Sequence, residues 1–203
     1  MLSQAERTAL AAAMMEDVFS AVAEARGVDK VFVVSNYGPA LERAQDLRWE
    51  VIRERRQVSE SDSVDRASRE CAARGVGTLL RLPIDIPLLQ SADVQSVLAA
   101  AGSAPASVLV PSRDGTGTNA LLRTPPGLFR SHFGPDSFRK HLAEAAETGA
   151  RVRVLRNARI ELDVDDEDDL RILAAHEDVR GATKSWLQRA GFLAAANKAA
   201  SAD

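Results

Sequence analysis

The sequence predicts an α/β fold: a mainly parallel sheet with helices on both faces. Two observations carry this. Over the first 112 residues, short β-branched runs such as "KVFVV" (30–34), "TLLRL" (78–82) and "SVLVPS" (107–112) alternate with helical stretches. That rhythm is the signature of strand–helix–strand units. The chain also has 203 residues, 45% of them apolar, enough for one full-sized core. No internal repeat or Pro/Gly-rich linker divides it, so residues 1–203 are expected to form a single domain.

The elements follow in order. Ser3 and Glu6 make an S-x-x-E capping box, and the Ala/Leu/Met pattern behind them runs to Gly27, a helix stop. Strand 30–34 comes next, then a helix opening at Pro39. "WEVIRE" (49–54) predicts a strand, and "RRQVSESDS" (55–63) a polar loop. "VDRASRECAARG" (64–75) predicts a helix closed by Gly75. Strand 78–82 leads into "PIDIPLL", and "SADVQSVLAAAG" (91–102) is a capped helix before strand 107–112. In the second half, "ALLRT" (120–124), "VRVL" (152–155) and "ARIELDV" (158–164) read as strands. "FGPDSFRKHLAEAAETG" (133–149), "DDEDDLRILAAHE" (165–177) and the segment from 182 onward, ending in a frayed tail, read as helices.

Composition narrows the function. A formal net charge of −3 argues against nucleic acid or an anionic membrane as the main partner. The single cysteine, Cys71, falls mid-helix and reads as core; no disulfide framework exists, and a reducing, cytoplasmic setting is expected. No apolar run approaches the ~20 residues of a membrane span. The start carries acids and no basic region, unlike a signal peptide. The three histidines lack metal-ligand spacing.

In sheets of this kind, ligands bind outside the carboxyl ends of the strands. Three loops qualify: "SNYGPA" (35–40), "PIDIPLL" (83–89) and "PSRDGTGTN" (111–119). Asp85 stands among prolines and apolar residues, where a carboxylate needs a cap, a partner or a metal. Gly115 and Gly117 let backbone N–H groups approach an anion, or simply form a tight turn. "FGPDSF" (133–138) opens a helix at Asp136 or Ser137, and helix N-termini bind phosphate and carboxylate groups.

The stretch "RIELDVDDEDDL" (159–170) holds seven acids in twelve residues. As a strand, it would point Glu161, Asp163 and Asp165 one way and Ile160, Leu162 and Val164 into the core. Asp166, Glu167, Asp168 and Asp169 suit the first turn of a helix, where they complement its dipole. Asp163 and Asp165 sit two residues apart and repel each other unless a cation or proton intervenes. Oxygen ligands of this kind suit Mg²⁺ bound with substrate phosphates.

Together these segments resemble the 2-phospho-L-lactate guanylyltransferase family of coenzyme F-420 biosynthesis. The resemblance rests on "PIDIPLL", "SRDGTGTNALL", "HFGPDSFRKHLAEA" and "LDVDDEDDL", in this order, and covers nearly the whole chain. It implies a Rossmann-like nucleotidyltransferase (GT-A-like) fold. It implies that GTP is joined to a small phosphorylated acid (2-phospho-L-lactate, phosphoenolpyruvate or 3-phospho-D-glycerate) with release of pyrophosphate. Carried over, Asp85, Asp163 and Asp165 would hold Mg²⁺ as the catalytic and metal-binding residues. Thr116, Thr118, Gly134 and Ser137 would hold the acid. Family members often pair through the sheet's outer elements, so a homodimer is an assembly the resemblance allows.

The chain departs from the family pattern in two places. It opens at the family's first helix, so the sheet is expected without the strand and lysine-bearing loop that precede that helix. Where the family has G-L-N-x-A near the nucleotide, this chain reads "SDSVDRA" (61–67), leaving Ser61, Ser63 and Asp65 as candidates for the lost asparagine's role. The rival readings are a nucleotidyltransferase for another phosphorylated metabolite and a non-catalytic relative.

Overall fold

A computed structural model describes residues 2–193. Helix α1 (Gln4–Ala23) carries the predicted capping box: Ser3 Oγ accepts from Glu6 N, and the Glu6 carboxylate accepts from Ser3 N. Strand β1 (Phe32–Ser35), helix α2 (Gly38–Asp46) and strand β2 (Glu50–Arg53) follow as expected. Helix α3 (Glu60–Ala73) begins within the stretch expected as loop. Ser59 caps it by accepting from Asp62 N, so "SESDS" is a helix start. Strand β3 (Leu79–Arg81), helix α4 (Ser91–Ala101), strand β4 (Ala106–Pro111) and strand β5 (Thr118–Thr124) complete the central region. Helix α5 (Ser137–Glu147) and strand β6 (Arg151–Val154) come next.

The strands form two sheets, β1-β2 and β3-β5-β4-β6. β5 is antiparallel to both of its neighbours, while β4 and β6, like β1 and β2, pair in parallel. The layout is thus the expected mainly parallel one with a single reversed strand. Every residue of β4 is buried, as are the first six of β5, which explains their continuous apolar reading. Two helix layers join the sheets. α3 packs on β1 and β3 through Ala67 and Cys71. α1 places Met15 and Phe19 over the first sheet, and Val18 and Ala21 over the core of the second.

Residues 158–164 are the main correction. Instead of a strand there is a one-turn helix, α6 (Ala158–Glu161), followed by extended chain into helix α7 (Glu167–Ala175). Polar side chains decide this. Asn157 Oδ1 accepts from Arg159 N and Ile160 N and so caps α6. Arg159 makes a two-pronged ion pair with buried Asp93, and Arg156 makes one with Glu161. Glu161 is therefore buried against Arg156 and Asn157 N, away from Asp163 and Asp165. The last helix, α8 (Gly181–Arg189), is capped from a distance: Asp17 of α1 accepts from Ala182 N and Thr183 N, each at 2.8 Å. Trp186 stacks on Phe192, and the tail beyond residue 193 lies outside the described residues. Among the described residues no helix is long and apolar enough to cross a membrane.

Candidate active site

The site forms at the carboxyl ends of β3 and β4, where Asp85 and the 111–119 loop follow the strands. Asp85 follows β3 in a turn that the acidic stretch holds from the other side: Val164 N donates to the Asp85 carbonyl at 3.0 Å. This bond sets Asp85 against the chain between Asp163 and Asp165. The Asp85 carboxylate has one oxygen, Oδ1, that is buried and without any hydrogen-bond partner. Burial pushes this carboxyl up to about 6; Arg81 opposes, and Asp163 and Asp165 push it further up. Asp165 is raised too, first by partial desolvation and then by Asp163 and Asp169. These are the electrostatics of acids that gain from a nearby cation.

The acidic run divides near the expected place. Asp166 is the N-cap of α7, its Oδ1 accepting from Asp168 N and Asp169 N. Asp168 is exposed and pairs with Arg171. Asp169 reaches Arg113 at 2.8 Å, which ties the 111–119 loop to α7. Among the described residues no group of three or more His, Cys, Asp or Glu side chains is placed to hold a metal ion by itself. Asp85, Asp163 and Asp165 are close enough for their charges to act on one another, and Mg²⁺ commonly takes one or two carboxylates together with substrate phosphates.

The Gly-rich loop is a knit turn rather than an open anion nest. Gly115 N donates to Ser112 O, Thr116 N to Asp114 Oδ1 and Gly117 N to Ser112 Oγ. The Ser112 hydroxyl, then the Thr116 amide and hydroxyl, donate to the Asp114 carboxylate and hold it at about 2. A Cβ on Gly117 would come within 2.9 Å of Ser112 Oγ, so this position needs glycine. The exposed Thr116 hydroxyl also donates to Asp114.

At the start of α5, Ser137 Oγ donates to Thr118 Oγ1 at 3.2 Å, so those two predicted residues meet. Gly134 lies in the exposed turn just before them with φ +110°, a conformation that favours glycine. Asp136 is the N-cap residue, with φ 57° and no side-chain cap bond. Two first-turn amides are already used, Ser137 N by Gly134 O and Phe138 N by Thr116 O.

Sequence reasoning missed two residues. His141 is fully buried, and its Nε2 accepts from His132 N at 2.7 Å. Burial, then Arg123, brings its ring down to about 4, so it is neutral and carries its proton on Nδ1, which donates to Thr118 Oγ1 at 3.0 Å. Arg81 stands between the two halves of the site. It donates to Thr118 O, pairs with Glu60, lies 4.3 Å from the Phe133 ring centre and faces Asp85 and Asp163. An arginine inside the apolar strand "TLLRL" was the available signal. Ser61 and Asp65 serve structure: Ser61 Oγ accepts from Phe133 N, and Asp65 accepts from Ser131 N and pairs with buried Arg123. Ser63 donates to Ser59 O within α3.

The fold and these strand-end loops define the class as a nucleotidyltransferase-type α/β fold. A crystal structure assigned to a nucleotide-diphospho-sugar transferase of Desulfovibrio desulfuricans G20 matches 90% of this chain and 82% of its own, with TM-score 0.71 at 16% identity. A 4-diphosphocytidyl-2C-methyl-D-erythritol synthase matches with TM-score 0.60 at 13% identity, over 78% of this chain and 87% of its own.

Within that class, the family model described as "Guanylyl transferase CofC like" matches residues 1–203, and the chain belongs to that family. It is 38% identical over 154 residues to a phosphoenolpyruvate guanylyltransferase of Rubrobacter xylanophilus, covering 76% of this chain and 75% of that protein. It is 34% identical over 175 residues to a 2-phospho-L-lactate guanylyltransferase of Methanothermobacter thermautotrophicus, covering 86% and 76%.

Proposed function

We propose that the chain joins GTP to a phosphorylated three-carbon acid, with phosphoenolpyruvate the first candidate because relatives at up to 38% identity carry that name. A phosphate oxygen of the acid bonds to the α-phosphorus of GTP. The bond from that phosphorus to the α,β-bridging oxygen breaks, and pyrophosphate leaves with the electron pair. The product is a guanylyl-diphospho acid, and no covalent enzyme intermediate is needed.

The single structural observation that supports this reading is Asp85 Oδ1, buried and unpartnered beside two further aspartates. Asp85, Asp163 and Asp165 would hold Mg²⁺, which when bound neutralises triphosphate charge. Thr118 Oγ1 accepts from both Ser137 and His141, so its own proton is left to donate to the acid. Thr116, Gly134 and Ser137 complete the acid's seat in this reading. Arg81 adds positive charge at the junction of that seat with the aspartates.

The test is pyrophosphate release with GTP and Mg²⁺, offering phosphoenolpyruvate, 2-phospho-L-lactate and 3-phospho-D-glycerate separately. CTP, ATP and UTP replace GTP in parallel, and EDTA replaces the metal. Release with GTP and one acid, lost in EDTA, is the expected result. Release with another nucleotide only would move the reading to a different nucleotidyltransferase. No release from folded protein under any condition would favour a non-catalytic relative.

A further inference from the structure

Arg81 is the one charged residue of strand β3. Leu80 and Leu82, on either side of it, pack into the core of the second sheet. Side chains alternate along a strand, so Arg81 points to the other face, where Leu79 packs with Ala67 and Cys71 of α3. There its guanidinium lies 4.3 Å from the centre of the Phe133 ring, and 18% of the side chain is exposed. A cation so far withdrawn from water needs anions close by. Three carboxylates act on it: Glu60, which it touches, then Asp85 and Asp163.

These contacts leave the guanidinium under-used. An arginine presents five N–H donors in a planar fork. Arg81 spends one Nη1 bond on Thr118 O, at a long 3.4 Å, and one Nη2 bond on Glu60. Glu60 is a loosely held partner. It is the first residue of α3, its side chain is 42% exposed, and among the described residues its carboxylate has no other bond. The cap of α3 does not need it, because Ser59 and Asp62 make that cap. Its charge also bears on Asp165, along with Asp163 and Asp169. Glu60 is therefore an acid standing near other acids, held there by one guanidinium. A guanidinium takes a carboxylate or a phosphate in the same fork geometry. A half-exposed ion pair is weak enough for a bound oxyanion to replace it.

Resting on the functional reading above, we propose that Arg81 binds an oxyanion of the phospho-acid and that Glu60 holds that place in the empty site. The acid's phosphate or carboxylate takes the fork, and the Glu60 side chain turns out to solvent. The exchange is neutral in charge at Arg81, since one carboxylate leaves as one oxyanion enters. Arg81 then joins the Thr118 side of the seat to the aspartate side through a single residue. Glu60 makes the seat selective: an uncharged three-carbon molecule cannot displace it.

The test is binding by titration calorimetry in Mg²⁺, with phosphoenolpyruvate, 2-phospho-L-lactate and 3-phospho-D-glycerate in turn. Guanosine 5′-(α,β-methylene)triphosphate is present or absent, so no turnover is needed. Arg81→Gln is expected to weaken binding of the acid by about tenfold or more, and Arg81→Lys, which keeps the charge without the fork, by less. Glu60→Gln is expected to act in the opposite direction and tighten binding about threefold, because the internal competitor is weakened. In the Arg81→Gln background the effect of Glu60→Gln should vanish. A pair that only supports the fold would move both single variants the same way. That result, or unchanged acid binding in folded Arg81→Gln, overturns the proposal. In pyrophosphate release, Arg81→Gln should raise the KM of the acid and leave that of GTP unmoved; an equal rise in both overturns it. If Arg81→Gln does not fold, Glu60→Gln decides alone, and unchanged or weaker binding overturns the proposal. A parent that binds none of the three acids, with the analogue or without it, removes the functional reading and this inference with it. A parent that binds an acid, beside variants that bind it equally well, removes the role of Arg81 alone.

Discussion

Replacing Asp85 by Asn should stabilise the protein while removing its activity. In metal-free buffer the Asp85 carboxyl moves from 3.8 in the unfolded chain to about 6 in the fold, chiefly through burial. A displacement of that size corresponds to about 3 kcal/mol. The sign is unfavourable to the fold. Below about pH 4 the group is protonated in both states and costs nothing. Between about 4 and 6 the unfolded chain ionises first, and stability falls; above about 6 the full cost is present. Asp85→Asn keeps the shape and cannot ionise, so it should be more stable than the parent at pH 7.5 by up to about 3 kcal/mol. At pH 4 the two should be nearly equal. Urea unfolding of both proteins at the two pH values measures this. A paired melting scan with added Mg²⁺ should raise the parent's Tm and leave that of Asp85→Asn unmoved. An Asn variant no more stable than the parent at pH 7.5 would refute the argument that Asp85 is held ionised at a cost.

Three further outcomes follow from the site. Asp163→Asn and Asp165→Asn should each lower pyrophosphate release by about a hundredfold or more with native circular dichroism retained, and near-normal rates in both would remove the metal assignment. Asp166→Ala should cost about 1 kcal/mol in urea unfolding because it uncaps α7, whereas Asp168→Ala, losing only an exposed pair with Arg171, should stay within about 0.5 kcal/mol. His141 is displaced downward, from 6.5 to about 4, so its contribution to stability is present above about pH 6.5 and lost as pH falls toward 4. His141→Gln should lack that loss, read as a flatter stability profile between pH 6.5 and 4 than the parent shows.

Much of this was legible from local chemistry. The Ser3 capping box, the helix at Pro39 and the strands within 78–82 and 107–112 depend on neighbours within a few residues and form as read, although β3 is half-buried where β4 is fully buried. Asp85, Asp163 and Asp165 stood out because carboxylates at strand ends have few inexpensive explanations. Thr118 and Ser137, picked out from separate segments, meet through a hydrogen bond.

What the sequence by itself determined was the order of elements, the α/β class and the residue types at the strand ends. These follow from periodicity, capping and turn chemistry, which act over a few bonds. Tertiary structure alone decided the rest. Residues 158–164 alternate like a strand, yet Arg159 and Asn157 reach Asp93, sixty-odd residues away, and Glu161 turns back to Arg156, so a helical turn wins. The Gly-rich loop became a closed turn because Ser112 and Asp114 take the amides of Gly115, Thr116 and Gly117. Arg81 and His141 joined the site because β3, β5 and α5 converge on Thr118. Such contacts depend on the desolvation and pairing of groups far apart in the chain, and no local pattern records them.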